Sequence, residues 1–226
     1  MNVLFFLVSC IIVTLFARIC ERLLGSEGLI AWIALCSVLA NLFVLKQINL
    51  LGLNAAASDI FAVSSLLGLN LLQEKKGFEI AQKAIATTFL CLLFFCIMAQ
   101  MHLLYIPSIY DTQHHTYAAL LSPTPRLLIA SLLAYFISQQ TCVFLYRKLH
   151  QNNPKTLWRN HLLSTLVAQL FDTLIFASIG LWGLVSALDE IIIVGYLIKI
   201  AAIIATTFFS KTLWKSTSHV TTQSFF

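Results

Sequence analysis

The sequence predicts an all-α integral membrane protein, a polytopic helical bundle of about seven transmembrane helices with the N-terminus outside and the C-terminus in the cytoplasm. Three observations predict it. Hydrophobic residues make up 59% of the chain and charged residues only 10%, with a mean hydropathy of +0.89; a soluble domain carries about 25% charged residues. Apolar blocks long enough to cross a bilayer recur along the 226 residues, and at ~20 residues per span seven of them leave no room for a separate soluble domain. Finally, lysine and arginine gather in alternate connections, as the positive-inside rule requires.

The blocks fall at Val3–Leu24, Leu29–Leu50, Ala55–Leu72, Ala81–Ile106, Leu127–Leu149, His161–Trp182 and Ile191–Leu213. Hydrocarbon cannot satisfy free backbone groups, so each block is read as a helix, and no strand-length alternation argues for a barrel. The first block has no basic segment before Val3 and no small-residue cleavage pattern ahead of Arg18, and is expected to be a retained helix. Arg18 and Arg22, then Lys75, Lys76 and Lys83, then Arg147, Lys148, Lys155 and Arg159, and finally Lys211 and Lys215 mark one side; Lys46 and Arg126 mark the other. Six or eight spans would spoil that segregation. The longest connection, Pro107–Pro125, is expected outside, with turn residues and room for a half-helix. Residues 1–215 form one transmembrane domain and 216–226 a flexible cytoplasmic tail.

The net charge of +5 follows from this topology. The basic loops are short and lack dense arginine runs, so no nucleic-acid partner is expected. Cys10, Cys20, Cys36, Cys91, Cys96 and Cys142 lie in or at the ends of spans without a CxxC pair, and read as small apolar residues. No metal or cofactor is expected: the His114-His115 pair near Asp111 has no spacing that imposes a ligand geometry. Trp32, Trp158, Trp182 and Trp214 are placed at span ends, as interfacial belts are.

Polar residues inside the spans are few. Asp172 lies in the middle of the sixth span, where a carboxylate costs ~2.5–3.5 kcal/mol, so it calls for a partner, a polar cavity or a substrate. Thr165, Gln169, Asp172 and Phe176 recur at four, three and four residues, on one helical face. Gly195, Lys199, Ala202 and Thr206 form a matching stripe on the seventh. Asp172 and Lys199 each lie about ten residues, or ~15 Å, from the outer surface, a common depth at which they could face each other, though depth alone does not decide whether they touch. Such a pair reads either as a substrate gate, in which a ligand replaces one partner, or as a structural salt bridge between helices. Asn41 is placed mid-membrane on the second span; on the third, Asp59 lies toward the outer end, with Asn70 and Glu74 approaching the inner one.

Four segments resemble a known family. They are Leu39-Ala-Asn41, the stretch NLLQEKKGFEIAQKAI from Asn70 to Ile85 with its E-x2-G-x3-A-x-K pattern, STLVAQLFDTLIF from Ser164 to Phe176, and YLIK from Tyr196 to Lys199. Together they are similar to the queuosine precursor transporters, also called the vitamin uptake transporter family, over residues 29–215. The resemblance implies import of 7-deazaguanine bases, queuine or its smaller precursors preQ0 and preQ1, across a bacterial inner membrane for tRNA queuosine salvage. The transporter would act alone or as a homo-oligomer. Asn70 is a departure, since many relatives carry Asp there. Under this reading Asp172, Gln169, Asn41, Asn70, Glu74, Lys199, Thr165 and Tyr196 are the candidate substrate-binding and transport residues. An ionised Asp172 would accept from the two donors of a guanine-like edge, while the carboxamides serve its remaining groups.

Two other classes compete. A substrate-capturing subunit served by a separate ATPase is compatible with the absence of a Walker A pattern. A membrane-embedded enzyme is disfavoured, because the chain has no H-E-x-x-H, no G-x-S-x-G and no paired-carboxylate motif.

Overall fold

The structure is a computed structural model that describes residues 1–43, 46–50, 53–122, 125–152, 156–182, 188–189, 192–193 and 195–204. Helix α1 runs Asn2–Leu42 and is followed by the paired strands β1 (Gln47–Leu50) and β2 (Leu53–Ala56). Then come α2 (Asp59–Lys76), α3 (Phe78–Leu103), α4 (His114–Leu121), α5 (Pro125–Asn152) and α6 (Leu157–Phe176), extended by a π turn, Ala177–Leu181. A shorter apolar helix, α7, spans Gly195–Ile204. Four helices among the described residues are long and apolar enough to cross a membrane: α1, α3, the Ile129–Asn152 part of α5, and α6 with the start of its π turn. This is a multi-pass membrane protein of predominantly helical architecture.

The first two predicted spans form one helical run bent back on itself. Gly25 alone leaves the helical region, at φ 63° and ψ −141°, a conformation that suits a residue without Cβ. Phe16 and Trp32 would lie ~24 Å apart on a straight helix, yet their rings stack with centroids 6.1 Å apart. The two arms therefore pack antiparallel. A Cβ on Gly28 would lie 2.4 Å from the Cys20 carbonyl oxygen, so the crossing requires glycine there too. Trp32 is correspondingly buried against the first arm and is a packing residue, not the belt residue the sequence suggested.

The second span ends earlier than hydropathy indicated. The helix stops at Leu42, and Gln47–Leu50 pairs antiparallel with Leu53–Ala56, Gln47 opposite Ala56 and Leu50 opposite Leu53. Strands were not expected; an apolar ribbon this short has the hydropathy of a helix end. One consequence is that Asn41 sits in the last turn of α1 instead of the middle of a span.

Helix α2 is the centre of the bundle and starts and ends four residues later than predicted. Every residue from Val63 to Gln73 is buried. With Asp59 at its start and Glu74, Lys75 and Lys76 at its end, it falls outside the four candidate spans, and it is wrapped by α1, α3, α5 and α6. Close approach relies on small residues, as in other helix pairs within lipid: Gly68 faces Ile33, and Ala81, Ala84, Ala134 and Ala168 are buried at crossings. Core apolar residues include Val13, Ile33, Val63, Leu69, Ile85 and Ile203, while Leu90, Phe94, Phe144 and Ile204 point outward, as a lipid-facing surface does.

The long connection contains the expected short helix, α4, tied back by Gln100 Nε2 donating to the Leu121 carbonyl at 3.0 Å. Of the predicted seventh span only Gly195–Ile204 and residues 192–193 are described; Thr206, Trp214 and the tail lie outside the described residues.

Candidate functional site

On α6 the helical repeat places Thr165, Gln169 and Asp172 on one side, and the structure surrounds each with a different neighbour. Lys199 of α7 donates from Nζ to Asp172 Oδ2 at 2.8 Å and to Thr173 Oγ1 at 3.2 Å. The side chains of Lys199 and Asp172 are 12% and 21% exposed, so the pair is sheltered but not sealed. Equal depth in the sequence left open whether these two touch; the structure joins them. A third ionisable residue joins them: Asp59, buried in the first turn of α2, lies within Coulombic range of both. Of these two carboxylates only Asp172 is in contact with the ammonium. Asp59 had been noticed only as a residue near a span end; its position in the first turn, where helix dipoles favour carboxylates, was the available signal.

Two turns back toward the start of α6 the polar groups around Asn70 are fully engaged. Asn70 Nδ2 donates to Ser164 Oγ and Thr165 Oγ1, both at 3.0 Å, and to the His161 carbonyl at 3.4 Å. Its Oδ1 accepts from the Cys142 thiol at 3.2 Å. Asn70 thus joins α2, α5 and α6 at a single buried point, and Thr165 takes part by the same bond. Gln169 differs. It is buried beside these residues, and its Oε1 has no hydrogen-bond partner among the described residues. Tyr196 bonds from its hydroxyl to the Leu166 carbonyl at 3.1 Å, fixing α7 against α6.

Glu74 is paired with a residue that the sequence had left at a span end. His161 Nε2 lies 2.7 Å from Glu74 Oε2, and the Tyr146 ring covers the imidazole at a centroid distance of 4.6 Å. Beside them Glu21, on α1, takes both Arg18, at 3.2 Å, and Lys75. Arg147 rests over the Phe78 ring, 4.5 Å from its centroid. These contacts gather at the end of the bundle that holds Gly25 and the start of α3. Asn41 belongs to the opposite end, where its Oδ1 accepts from Ser131 Oγ at 2.5 Å. The eight candidate residues are therefore not one cluster. Asp172 and Lys199 meet directly, Asn70 and Thr165 meet directly, and Glu74 and Asn41 mark opposite ends.

Near Asp172 the helix widens. Ala177–Leu181 is a π turn, closed by Trp182 N–H donating to the Ala177 carbonyl at 3.1 Å. Such turns often accompany functional sites. Arg126, at the start of α5, satisfies the released carbonyls of Ile179 and Trp182 at 2.6 and 2.7 Å.

A sheltered ion pair, a buried second carboxylate and a carboxamide oxygen without a partner among the described residues thus lie among apolar membrane-spanning helices, polar groups of a kind that a multi-pass membrane protein seldom carries without use. Residues 56–212 match the family described as "Putative vitamin uptake transporter". A protein of Bacillus subtilis (strain 168), named "Probable queuosine precursor transporter", is 34% identical over 204 residues, covering 88% of this chain and 87% of that one. The chain belongs to the vitamin uptake transporter family, and is a transporter of a small molecule and not an enzyme. No solved structure matches it.

Proposed function

We propose that this protein imports 7-deazaguanine bases such as queuine, preQ0 or preQ1 across a bacterial inner membrane, with its N-terminus outside and its C-terminus in the cytoplasm, supplying tRNA queuosine salvage. The observation that carries the reading is the Asp172–Lys199 pair with Asp59 close by. The name of the Bacillus subtilis relative supports the choice of cargo.

A guanine-like edge offers an N–H and an amine side by side, with a carbonyl next to them. Asp172 would accept from the two donors and Lys199, turned from Asp172, would donate to the carbonyl. The ammonium keeps Asp59 as a counter-ion during that exchange, which lowers the cost of opening the pair. Gln169 Oε1, without a partner among the described residues, would take a further donor. Asn70, Thr165 and Tyr196 hold α6 in place, and Glu74 with His161 closes the cytoplasmic end.

The test is rescue of tRNA queuosine in a bacterium lacking precursor synthesis and native uptake, with each base supplied at limiting concentration. The wild-type chain restores the modified nucleoside and Asp172→Ala, at equal membrane level, does not. A well-expressed wild type that restores none while an established importer does would sink the deazaguanine assignment.

A further inference from the structure

The lipid-facing surface of this bundle does not stop where α3 stops. On α3 the exposed residues Leu90, Phe94, Ile97, Met101 and Leu104 recur at four, three, four and three residues, which is one face of a helix, and the last of them caps it. That apolar face continues into the connection that follows. Tyr105, Ile106, Ile109 and Tyr110 are all exposed, Ile106 and Ile109 by 94% and 92%. Asp111 is the only Asp, Glu, Lys or Arg between Lys83 and Arg126. A contiguous apolar surface of this kind, bare of charge, marks contact with a partner that is itself apolar.

Depth decides which partner. From Lys83 to Leu104 on α3, and again from Arg126 to Arg147 on α5, the helix rises ~31 Å, which matches the ~30 Å hydrocarbon core of a bilayer. The connection between Leu104 and Arg126 therefore starts and ends at one face of the bilayer. Its short helix is held at that level too. Gln100 Nε2, one turn before the end of α3, donates to the carbonyl of Leu121, the last residue of α4, and the His102 and Tyr117 rings meet edge to face with centroids 5.8 Å apart. Helix α4 thus lies alongside the final turn of α3, its end drawn back to the depth of Gln100. None of its residues is buried, and Tyr117 and Leu120 are exposed. Membrane interfaces favour tyrosine, whose ring sits among acyl chains while its hydroxyl reaches the headgroups. Tyr105, Tyr110 and Tyr117 are three of the six tyrosines in the chain.

We propose that residues 104–121 form an interfacial segment whose partner is the bilayer itself. Ile106, Ile109 and the rings of Tyr105, Tyr110 and Tyr117 enter the leaflet at this end of the bundle, while Asp111, His114 and His115 stay in the headgroup layer. The contact is apolar: with no Lys or Arg in the segment, it makes no use of anionic headgroups. Because the segment joins α3 to α5, its seating holds those two helices at a common depth. The inference is independent of the cargo and goes beyond the transport reading above.

The experiment attaches a nitroxide through Ile106→Cys or Ile109→Cys in a chain whose six cysteines are replaced by serine, with Phe94→Cys as the lipid-facing reference. The labelled chains are reconstituted in phosphatidylcholine vesicles, and collisions of the nitroxide with oxygen, which partitions into lipid, are compared with collisions with a water-soluble nickel chelate. Oxygen collides severalfold more often at both positions, as it does at Phe94. A chelate rate equal to or above the oxygen rate at either position puts the segment in water, and exclusion of both reagents puts a protein surface over it; each result overturns the proposal. A second measurement uses the unaltered chain and so does not depend on the folding of the cysteine-free one. Vesicles of phosphatidylcholine carrying a diazirine near the glycerol end of an acyl chain are irradiated and the crosslinked peptides mapped. Crosslinks within residues 104–121 are expected beside those on α3, and their absence while α3 is labelled overturns the interfacial segment.

Discussion

Lys199 on α7 and Asp172 on α6 are joined across 2.8 Å, with Thr173 as a second acceptor for the same ammonium. Removing one partner of a buried pair costs about 3–5 kcal/mol because it leaves the other charge uncompensated; exposures of 12% and 21% put this pair at the lower end. Lys199→Met and Asp172→Asn therefore each lower the melting temperature in detergent. The double variant Asp172→Asn/Lys199→Met recovers most of that loss and still does not transport. Recovery of uptake in the double variant would show that the pair is structural.

Asn70 makes a contrasting prediction. Its amide donates to three oxygens and its carbonyl accepts from Cys142, and each group left unsatisfied costs about 1–3 kcal/mol. Asn70→Leu should be among the most destabilising polar substitutions, read as a lower melting temperature. Protein that still folds keeps a wild-type half-saturating concentration, because no polar atom of Asn70 is free for cargo; a large rise in that concentration would assign Asn70 to the binding site.

The bend in α1 is tested by two glycines with different constraints. Gly25→Ala meets no neighbouring atom but must hold a φ of 63°, a penalty of about 1–2 kcal/mol. Gly28→Ala places a methyl 2.4 Å from a backbone oxygen, where overpacking costs about 1–3 kcal/mol or more. Gly28→Ala is expected to reduce the amount of folded protein in the membrane more than Gly25→Ala, measured by fluorescence-detected gel filtration. The reverse order would place the strain in the turn instead of the crossing.

Arg126 holds the π turn through two carbonyls. Replacing it with alanine frees both, and local opening becomes easier. Hydrogen exchange at the Trp182 amide should accelerate at least tenfold, with α3 unaffected. Unchanged exchange would mean that the turn is held by packing alone.

Parts of this arrangement were legible in the sequence because charge inside an apolar span is conspicuous. Asp172 and Lys199 stood out singly, and equal depth made a pairing possible that only the crossing of α6 and α7 decides. The half-helix between Pro107 and Pro125 appears as His114–Leu121. Other parts were hidden by their ordinariness. Gln139 and Cys142 of α5 are common residues, and only Ser65 and Asn70 on α2, to which they bond, give them a role. His161 looked like an interfacial histidine because Glu74, 87 positions earlier, is brought to it by the crossing of α2 and α6. The β1–β2 ribbon was absorbed into two spans, since hydropathy averages over length and does not distinguish a strand from a helix end. Counting spans from charge also missed the central role of α2, whose terminal charges lie against other elements: Glu74 on His161 and Lys75 on Glu21.

Helix α6 is held at two levels by two different helices, at Ser164 and Thr165 by Asn70 and at Asp172 by Lys199. The grips are about seven residues, or ~11 Å, apart along the axis. The lower one is a knot of hydrogen bonds, and the upper a single ammonium that has another carboxylate within range. Taken about Asn70 as a fixed point, a swing of about 15° would carry Asp172 sideways by ~3 Å, as far as the ion pair is long. A tilt of that size would part Asp172 from Lys199 while moving the Asn70 bonds hardly at all.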